Sequence, residues 1–377
     1  MSGIYIHIPF CRSKCAYCGF YSIASLKRKA ELLEVLKHEM VSRKDYLHGE
    51  TVETVYFGGG TPSILMAEEI GDLLALVKGY YHMAADLEIT LEANPDTLST
   101  DYLQRLRTLG VNRLSIGIQS FFDNDLSYLS RRHNSQHARQ CVKMAKDAGF
   151  ENISIDLIYG LPTSDADQWN RNLDLFFELD VPHLSAYALT LEPNAILTKQ
   201  IGMGKVLSVN EEDALRDYHS LCKKMAQEGF LHYEISNFCK PEMHSRHNAS
   251  YWFGIPYAGF GPAAHSYDGA SRQWNVASLE RYVEVGSQKS EDSSWFEKEE
   301  LSAEQQYDEY VMLRLRTMWG IDLKYMKREM GERFSAYCEQ KAQPLIAQGR
   351  LSRTREFLYL DDNQMLFADG VAEALFW

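Results

Sequence analysis

The sequence predicts an α/β fold, a partial (β/α)6 barrel of the TIM-like kind with a small, mostly helical winged-helix-like unit at its C-terminal end. Three observations predict it. Short β-rich runs alternate six times with helix-length segments, polar residues gather at the C-terminal ends of those runs, and the rhythm stops before residue 301. The runs are IYIHIPF, TVYFGGG, LEITLEANP, RLSIGIQS, NISIDLIYG and HLSAYALT. Side chains on a strand alternate between its faces, so Leu87, Ile89 and Leu91 oppose Glu88, Thr90 and Glu92, and Ile153, Ile155 and Leu157 oppose Ser154 and Asp156. The polar set therefore points into a lumen. Helices are expected where apolar residues recur, as at Ile70, Leu73, Leu74, Val77 and Tyr81, and where Ser99 and Gly110 bracket Leu103 and Leu106 as cap and stop. Six units fall two short of a full barrel.

Beyond the sixth run a helix is expected near Asn210 to Gln227, with Leu215, Cys222 and Met225 on its apolar side, then YEISNF and a loop-rich stretch to about Tyr267. The expected divisions are a barrel over 1–210, an extension over 211–285, a Ser- and Glu-rich linker over 286–300, and a unit over 301–377. That last unit reads as three helices, a hairpin around Asp361-Asp362-Asn363 and a final short helix.

With 377 residues and 45% hydrophobic content the chain can bury one large core and a satellite. A formal charge of −13 opposes a nucleic-acid footprint, and the residues from 301 onward carry 12 Asp/Glu against 10 Lys/Arg, which opposes DNA reading by the winged unit. No apolar stretch nears a membrane span, and the apolar start from Ile4 to Phe10 is short and without a basic leader, so a cytoplasmic protein is expected. Of seven cysteines, Cys141, Cys222, Cys239 and Cys338 are dispersed, which is no disulfide framework.

The other three, Cys11, Cys15 and Cys18, form a C-x3-C-x2-C array just past the first run. Soft thiolates select zinc or iron–sulfur clusters, and a closed zinc site wants a fourth Cys or His close by, which the following residues do not offer. A cubane cluster with one bare iron fits better. The array follows strand one, Gly58-Gly59-Gly60 ends strand two, and Glu92, Gln119 and Asp156 end strands three, four and five. Parallel α/β barrels carry their sites at that rim. Each of these residues alone also suits a loop cap or a satisfied buried carboxylate; together they favour a site.

The ordered segments YIHIPFCRSKCAYC, YFGGGTPS, LEANP, GIQSF, LSRRH, DLIYGLP and HNASYW resemble the radical S-adenosylmethionine (SAM) superfamily, and within it the oxygen-independent coproporphyrinogen III oxidase-like group. The resemblance implies a [4Fe–4S] cluster on Cys11, Cys15 and Cys18, with the open iron chelated by the amino and carboxylate groups of SAM. It places Gly59, Gly60 and Thr61 against the methionyl part, the missing Cβ atoms permitting close backbone approach. Tyr5 and Tyr17 would flank the cluster, although Tyr5 equally suits plain strand packing. Glu92 would receive ribose hydroxyls, while Gln119, Arg131 and Asp156 would hold SAM or a second nucleoside-like ligand and Ala188 would offer a backbone contact. Alignment of LSRRH favours Arg131 over Arg132, with Ser130 standing where the group usually has Gly.

Two branches of the group compete. The dehydrogenase branch carries a fourth cysteine where this chain has Phe20; the heme-chaperone branch, HemW, lacks it and carries H-N-x-x-Y-W, here His247, Asn248, Tyr251 and Trp252. Both discriminators favour HemW. Heme is an apolar disc whose iron wants an axial ligand, so an exposed His247 beside Tyr and Trp is the expected docking edge, with a turn-capping, packing role as the plainer reading. His244 supplies a second imidazole nearby, and Ala263 replaces a usual Gly. The function expected is heme capture and delivery to an acceptor protein. The alternative is oxidative decarboxylation of coproporphyrinogen III. Homodimerisation, a respiratory membrane complex as acceptor, peripheral membrane association and SAM cleavage are all left open.

Overall fold

The structure, a computed structural model, describes residues 1–287 and 295–377. Six parallel strands stand in chain order, β1 (Ser2–Ile8), β2 (Val52–Gly59), β3 (Met83–Ala93), β4 (Arg113–Gln119), β5 (Asn152–Tyr159) and β6 (His183–Ala188). The crossovers are α1 (Lys29–Ser42), α2 (Ala67–Tyr80), α3 (Thr100–Leu109), α4 (Asp123–Tyr128) with α5 (Ser135–Asp147), and α6 (Ala166–Glu178). Ile4, Ile6, Leu91, Leu114, Ile116, Ile153 and Ile155 are buried in the large apolar core. The alternate residues Thr54, Glu88, Thr90, Arg113, Ser115 and Ser154 are buried too, in the lumen. Covered on both faces, β4 leaves no residue exposed. The expected helix signals hold: Ile70, Leu73, Leu74, Val77 and Tyr81 are buried, Ser99 accepts a hydrogen bond from the Tyr102 N–H, and Gly110 closes α3 at φ 99°.

The sheet continues past six strands. After β6 come α7 (Ile196–Gly202), α8 (Glu211–Gln227), β7 (Leu231–Glu234), β8 (Asn237–Cys239), α9 (Arg246–Trp252), β9 (Tyr257–Phe260), β10 (His265–Tyr267), β11 (Ser271–Asn275), α10 (Leu279–Ser287) and β12 (Phe296–Glu300). The order is β12-β11-β10-β9-β1-β2-β3-β4-β5-β6-β8-β7, so the barrel stays open while its edges are extended. The stretch expected to be loop-rich thus holds several strands, each too short to show a period. On α8 the buried face is Tyr218, Leu221, Cys222 and Met225, whereas Leu215, expected there, is 37% exposed. The expected linker contributes a strand: Phe296–Glu300 pairs antiparallel with β11, and 288–294 lie outside the described residues. Its charged side chains imitate a solvated segment because an edge strand is held through its backbone and protected by charge.

The C-terminal unit comprises α11 (Ala303–Leu315), β13 (Ile321–Asp322), α12 (Leu323–Tyr325), α13 (Glu332–Ala347), β14 (Ser352–Arg353), β15 (Phe357–Tyr359) and α14 (Ala368–Glu373), around its own core of Tyr307, Val311, Phe334, Leu358 and Val371. Its hairpin turns at Thr354, whose hydroxyl oxygen accepts from the N–H groups of Glu356 (3.3 Å) and Phe357 (3.0 Å), rather than around Asp361-Asp362-Asn363. A hydroxyl closing the turn makes the expected Asp/Asn cluster unnecessary.

Candidate cluster and cofactor site

The cysteine loop leaves β1 at Ile8 and is laced to the end of β2: the Gly60 N–H donates to Ile8 O (2.8 Å) and the Thr61 N–H to Phe10 O (2.8 Å). The glycine run is explained by this packing. A Cβ on Gly58 would lie 2.8 Å from the Tyr5 ring, on Gly59 2.6 Å from His7, and on Gly60 2.7 Å from Phe10 O, and Gly59 also has φ 109°. The expectation that these glycines clear a path for ligand is corrected to that extent: the protein's own atoms already require them.

All three cluster-candidate thiols are free and partly exposed. Thr61 Oγ1 donates to Cys11 Sγ (3.4 Å), and an Arg131 Nη donates to Cys15 Sγ (3.3 Å). Burial raises the proton affinity of Cys11 and Cys18, with the Thr61 hydroxyl opposing it at Cys11. Among the described residues no three His, Cys, Asp or Glu side chains converge on one point where a single metal ion would sit.

Arg131 turns inward, as expected, and Arg132 outward toward Asp96 (3.6 Å). The Arg131 guanidinium also donates to Asn94 Oδ1 (2.7 Å) and Gly117 O (2.5 Å). Ser130 reaches this turn at φ 57°, which explains why a glycine suits the position, and Ala263 sits likewise at φ 61°. Gln119 ends β4 at φ 70°, a conformation that costs free energy and collects at functional sites. Glu92 accepts from the Tyr56 hydroxyl (2.8 Å) and the Gly59 N–H (3.2 Å), and Asp156 accepts from Ser115 Oγ (3.1 Å). Burial lifts Glu92 to about 7, with Tyr56 opposing and Asp156 adding, and burial raises Asp156 too. Tyr17 joins a small apolar cluster behind the cysteine loop, and Ala188 is exposed at the end of β6. Tyr5 bonds His7 Nδ1 (3.1 Å) and stacks on Tyr56 at 6.1 Å, which is the plain strand-packing role weighed for it.

The HNxxYW residues lie elsewhere. Helix α9 closes the N-terminal end of the barrel, where Glu88 accepts from the N–H groups of Arg246 and His247 (both 3.1 Å). His247 is fully buried: Nδ1 meets Thr54 Oγ1 at 2.7 Å, Nε2 meets the Tyr251 hydroxyl at 2.8 Å, and the ring stacks on Tyr56 at 5.0 Å. Burial lowers it to about 3, with Arg113 adding. The expectation of an exposed His247 is therefore wrong, because lumen residues from β2 and β3 recruit the motif as a floor. Asn248 and Trp252 remain partly exposed on that helix. His244 is partly exposed and packs on the rings of Tyr233 and Trp319.

The radical SAM superfamily profile matches residues 5–176 and the HemN C-terminal domain profile matches 301–367. The chain is 33% identical over 377 residues to the heme chaperone HemW of Mycobacterium tuberculosis strain H37Rv, covering 99% of this chain and 94% of the relative. It belongs to the HemW family of radical SAM proteins. HemW of Bacillus subtilis is 33% identical, with 98% of each chain covered. The solved structure titled coproporphyrinogen III oxidase (HemN) from Escherichia coli, a radical SAM enzyme, superposes with a TM-score of 0.85 at 23% identity, over 99% of this chain and 89% of that one, which shows the fold.

Sequence reasoning missed three residues of this HemW-family barrel. Asn94 joins Thr61 Oγ1 (3.1 Å) to Arg131, Tyr56 joins Glu92 to His247, and Arg113 lies buried in the lumen. Asn94 sat in plain view within LEANP, and Tyr56 and Arg113 occupy the polar phase of their strands.

Proposed function

We propose that the protein is a heme chaperone that carries a [4Fe–4S] cluster on Cys11, Cys15 and Cys18, binds SAM beside it, and passes heme to an acceptor protein. The observation that carries this is the three-thiolate loop itself: Phe20, 73% exposed, stands where a fourth thiol would be, in a chain similar to HemW over nearly its whole length. Arg131, held by Asn94 and Gly117 beside Cys15, suits the methionyl carboxylate. Glu92 suits ribose hydroxyls, and Gln119 and Asp156 the rest of the nucleoside. Bound together, a reduced cluster and SAM supply the capacity for sulfonium cleavage. Heme capture by His247 exchanges its Tyr251 bond for iron and requires α9 to shift; capture by His244 needs neither.

The test is a heme titration of anaerobically reconstituted protein, followed at the Soret band, with a parallel assay of coproporphyrinogen turnover. Heme binding without turnover is expected. Turnover without heme binding assigns the protein to the decarboxylating branch. His247→Ala and His244→Ala, titrated side by side, identify the imidazole on the iron by which one changes the spectrum.

A further inference from the structure

Arg113 opens β4, pairs in register with Thr90, and sits one lumen step below the Glu92 and Ser115 pair. It is 1% exposed and its Nε has no hydrogen-bond partner. Among the described residues no carboxylate forms an ion pair with it. A guanidinium cannot shed its proton, and a buried charge without a close partner is costly, so packing alone favours an apolar side chain here. What the charge does act on are the groups around it. From β3 and β5 these are Glu92 and Asp156, from β2 Tyr56, from β6 His183, from β7 Tyr233, from β8 Cys239, and from the floor His244 and His247. Arg131 reaches Asp156 from the rim side, while Arg113 acts from below on both acids.

We propose that Arg113 is a positioning residue, whose fixed charge beneath Glu92 and Asp156 keeps these side chains as carboxylates ready to accept the hydroxyls of the bound nucleoside. The inference rests on the reading of Glu92 and Asp156 given above. Glu92, already lifted to about 7 by burial, is opposed in this by Arg113, so loss of that charge moves it further toward the neutral acid at physiological pH. A neutral acid accepts hydroxyl hydrogen bonds less well than a carboxylate. Glu92 then regains its charge only in more alkaline solution.

The experiment compares wild type, Arg113→Met and Arg113→Lys as full-length reconstituted proteins, measuring SAM affinity by calorimetry from pH 6 to 9 and thermal unfolding beside it. Arg113→Met is expected to weaken binding severalfold at pH 7, because Glu92 then moves further toward the neutral acid, and to recover toward pH 9. Arg113→Lys keeps most of the affinity. The Met variant is expected to melt no lower than wild type, since replacing a buried unpaired charge by a well-packed apolar chain is neutral or stabilising. Unchanged affinity and pH midpoint in the Met variant overturn the inference. So does a large fall in its melting temperature, which makes Arg113 a structural residue. Failure of wild type to bind SAM overturns instead the reading of Glu92 and Asp156.

Discussion

The two ends of the barrel are built from the same kinds of residue and treat them in opposite ways. At the rim, Glu92, Arg131, Asp156 and the three cysteines stay partly exposed, Gln119 and Ser130 hold unfavourable backbone angles, and two thiols accept hydrogen bonds from Thr61 and Arg131. At the floor, His247 is sealed, both its nitrogens are engaged, and Glu88 caps the helix that carries it. Strain and spare hydrogen-bonding capacity mark a place prepared for a ligand; complete satisfaction marks a latch. The motif that the resemblance assigns to heme thus sits in the region that looks most like structure.

The largest effect that separates the ends is expected from Cys11→Ser, which should abolish the brown cluster absorbance and bound iron while leaving the melting temperature of the cluster-free protein within about 2 °C of wild type. Full iron and sulfide in the variant would move the cluster away from this loop. The floor should answer in the opposite sense. His247→Ala leaves the Thr54 and Tyr251 hydroxyls without their partner and opens a cavity beside Tyr56, so it should cost about 3 kcal/mol of unfolding free energy by urea titration. Unchanged stability would deny the latch.

Acid sharpens the same contrast. His247 is held at about 3 in the fold against 6.5 in the unfolded chain, so only the unfolded chain takes up this proton as pH falls from 6.5. The stability that neutral His247 supplies is present above pH 6.5 and drains away toward pH 3. His7 and His133, lowered to about 4 by burial, act with the same sign, whereas Glu92 and Glu234, raised to about 7 by burial, favour the fold at low pH and oppose them. Because His247→Ala retains all four of those groups, the stability gap between wild type and variant isolates one imidazole. It should narrow steadily between pH 6.5 and 4. A gap independent of pH would mean that His247 is not kept neutral.

A smaller effect tests the lock on the imidazole. Tyr251→Phe removes the hydroxyl on Nε2 and should cost about 1 kcal/mol; if His247 is the heme ligand, the same change should strengthen heme binding, because iron no longer competes with that bond. Weaker or unchanged heme affinity would point to His244 or another group.

These contrasts follow how far each end was legible. The strands of the barrel were readable because alternation is local: Leu87, Ile89 and Leu91 declare one face and Glu88, Thr90 and Glu92 the other within six residues. Ser99 and Gly110 announced α3 for the same reason. The rim was readable where its residues lie in or just after a strand, as Glu92, Gln119, Asp156 and the cysteine loop do, so position along the chain translates into position in space. The floor has no such translation. His247 meets Thr54 across 193 residues and Glu88 across 159, and no periodicity in HNASYW says which end of the barrel it will close. Nor could Arg113 be singled out, since one basic residue at a strand start looks the same whether it meets water or a sealed lumen. The added strands β7 to β12 failed for a different reason, being three to five residues of mixed character whose pairing is decided by the edges they find.

The smallest expected effect returns to the rim. Ser130 and Ala263 carry side chains at φ 57° and 61°, where a Cβ crowds the neighbouring carbonyl and glycine does not. Ser130→Gly should therefore relieve local strain, yet it also loosens the unfolded chain, so the net gain is only about 0.5 kcal/mol. The two sites differ in surroundings: Ser130 directly precedes Arg131, whereas Ala263 lies between β9 and β10 with its N–H on Val276 O at 3.0 Å. If the strain at Ser130 serves only to pass the chain through a turn, both glycine variants should gain alike and SAM affinity should stay put. If it aims Arg131 at the cluster, Ser130→Gly should gain stability and lose affinity, while Ala263→Gly gains stability alone.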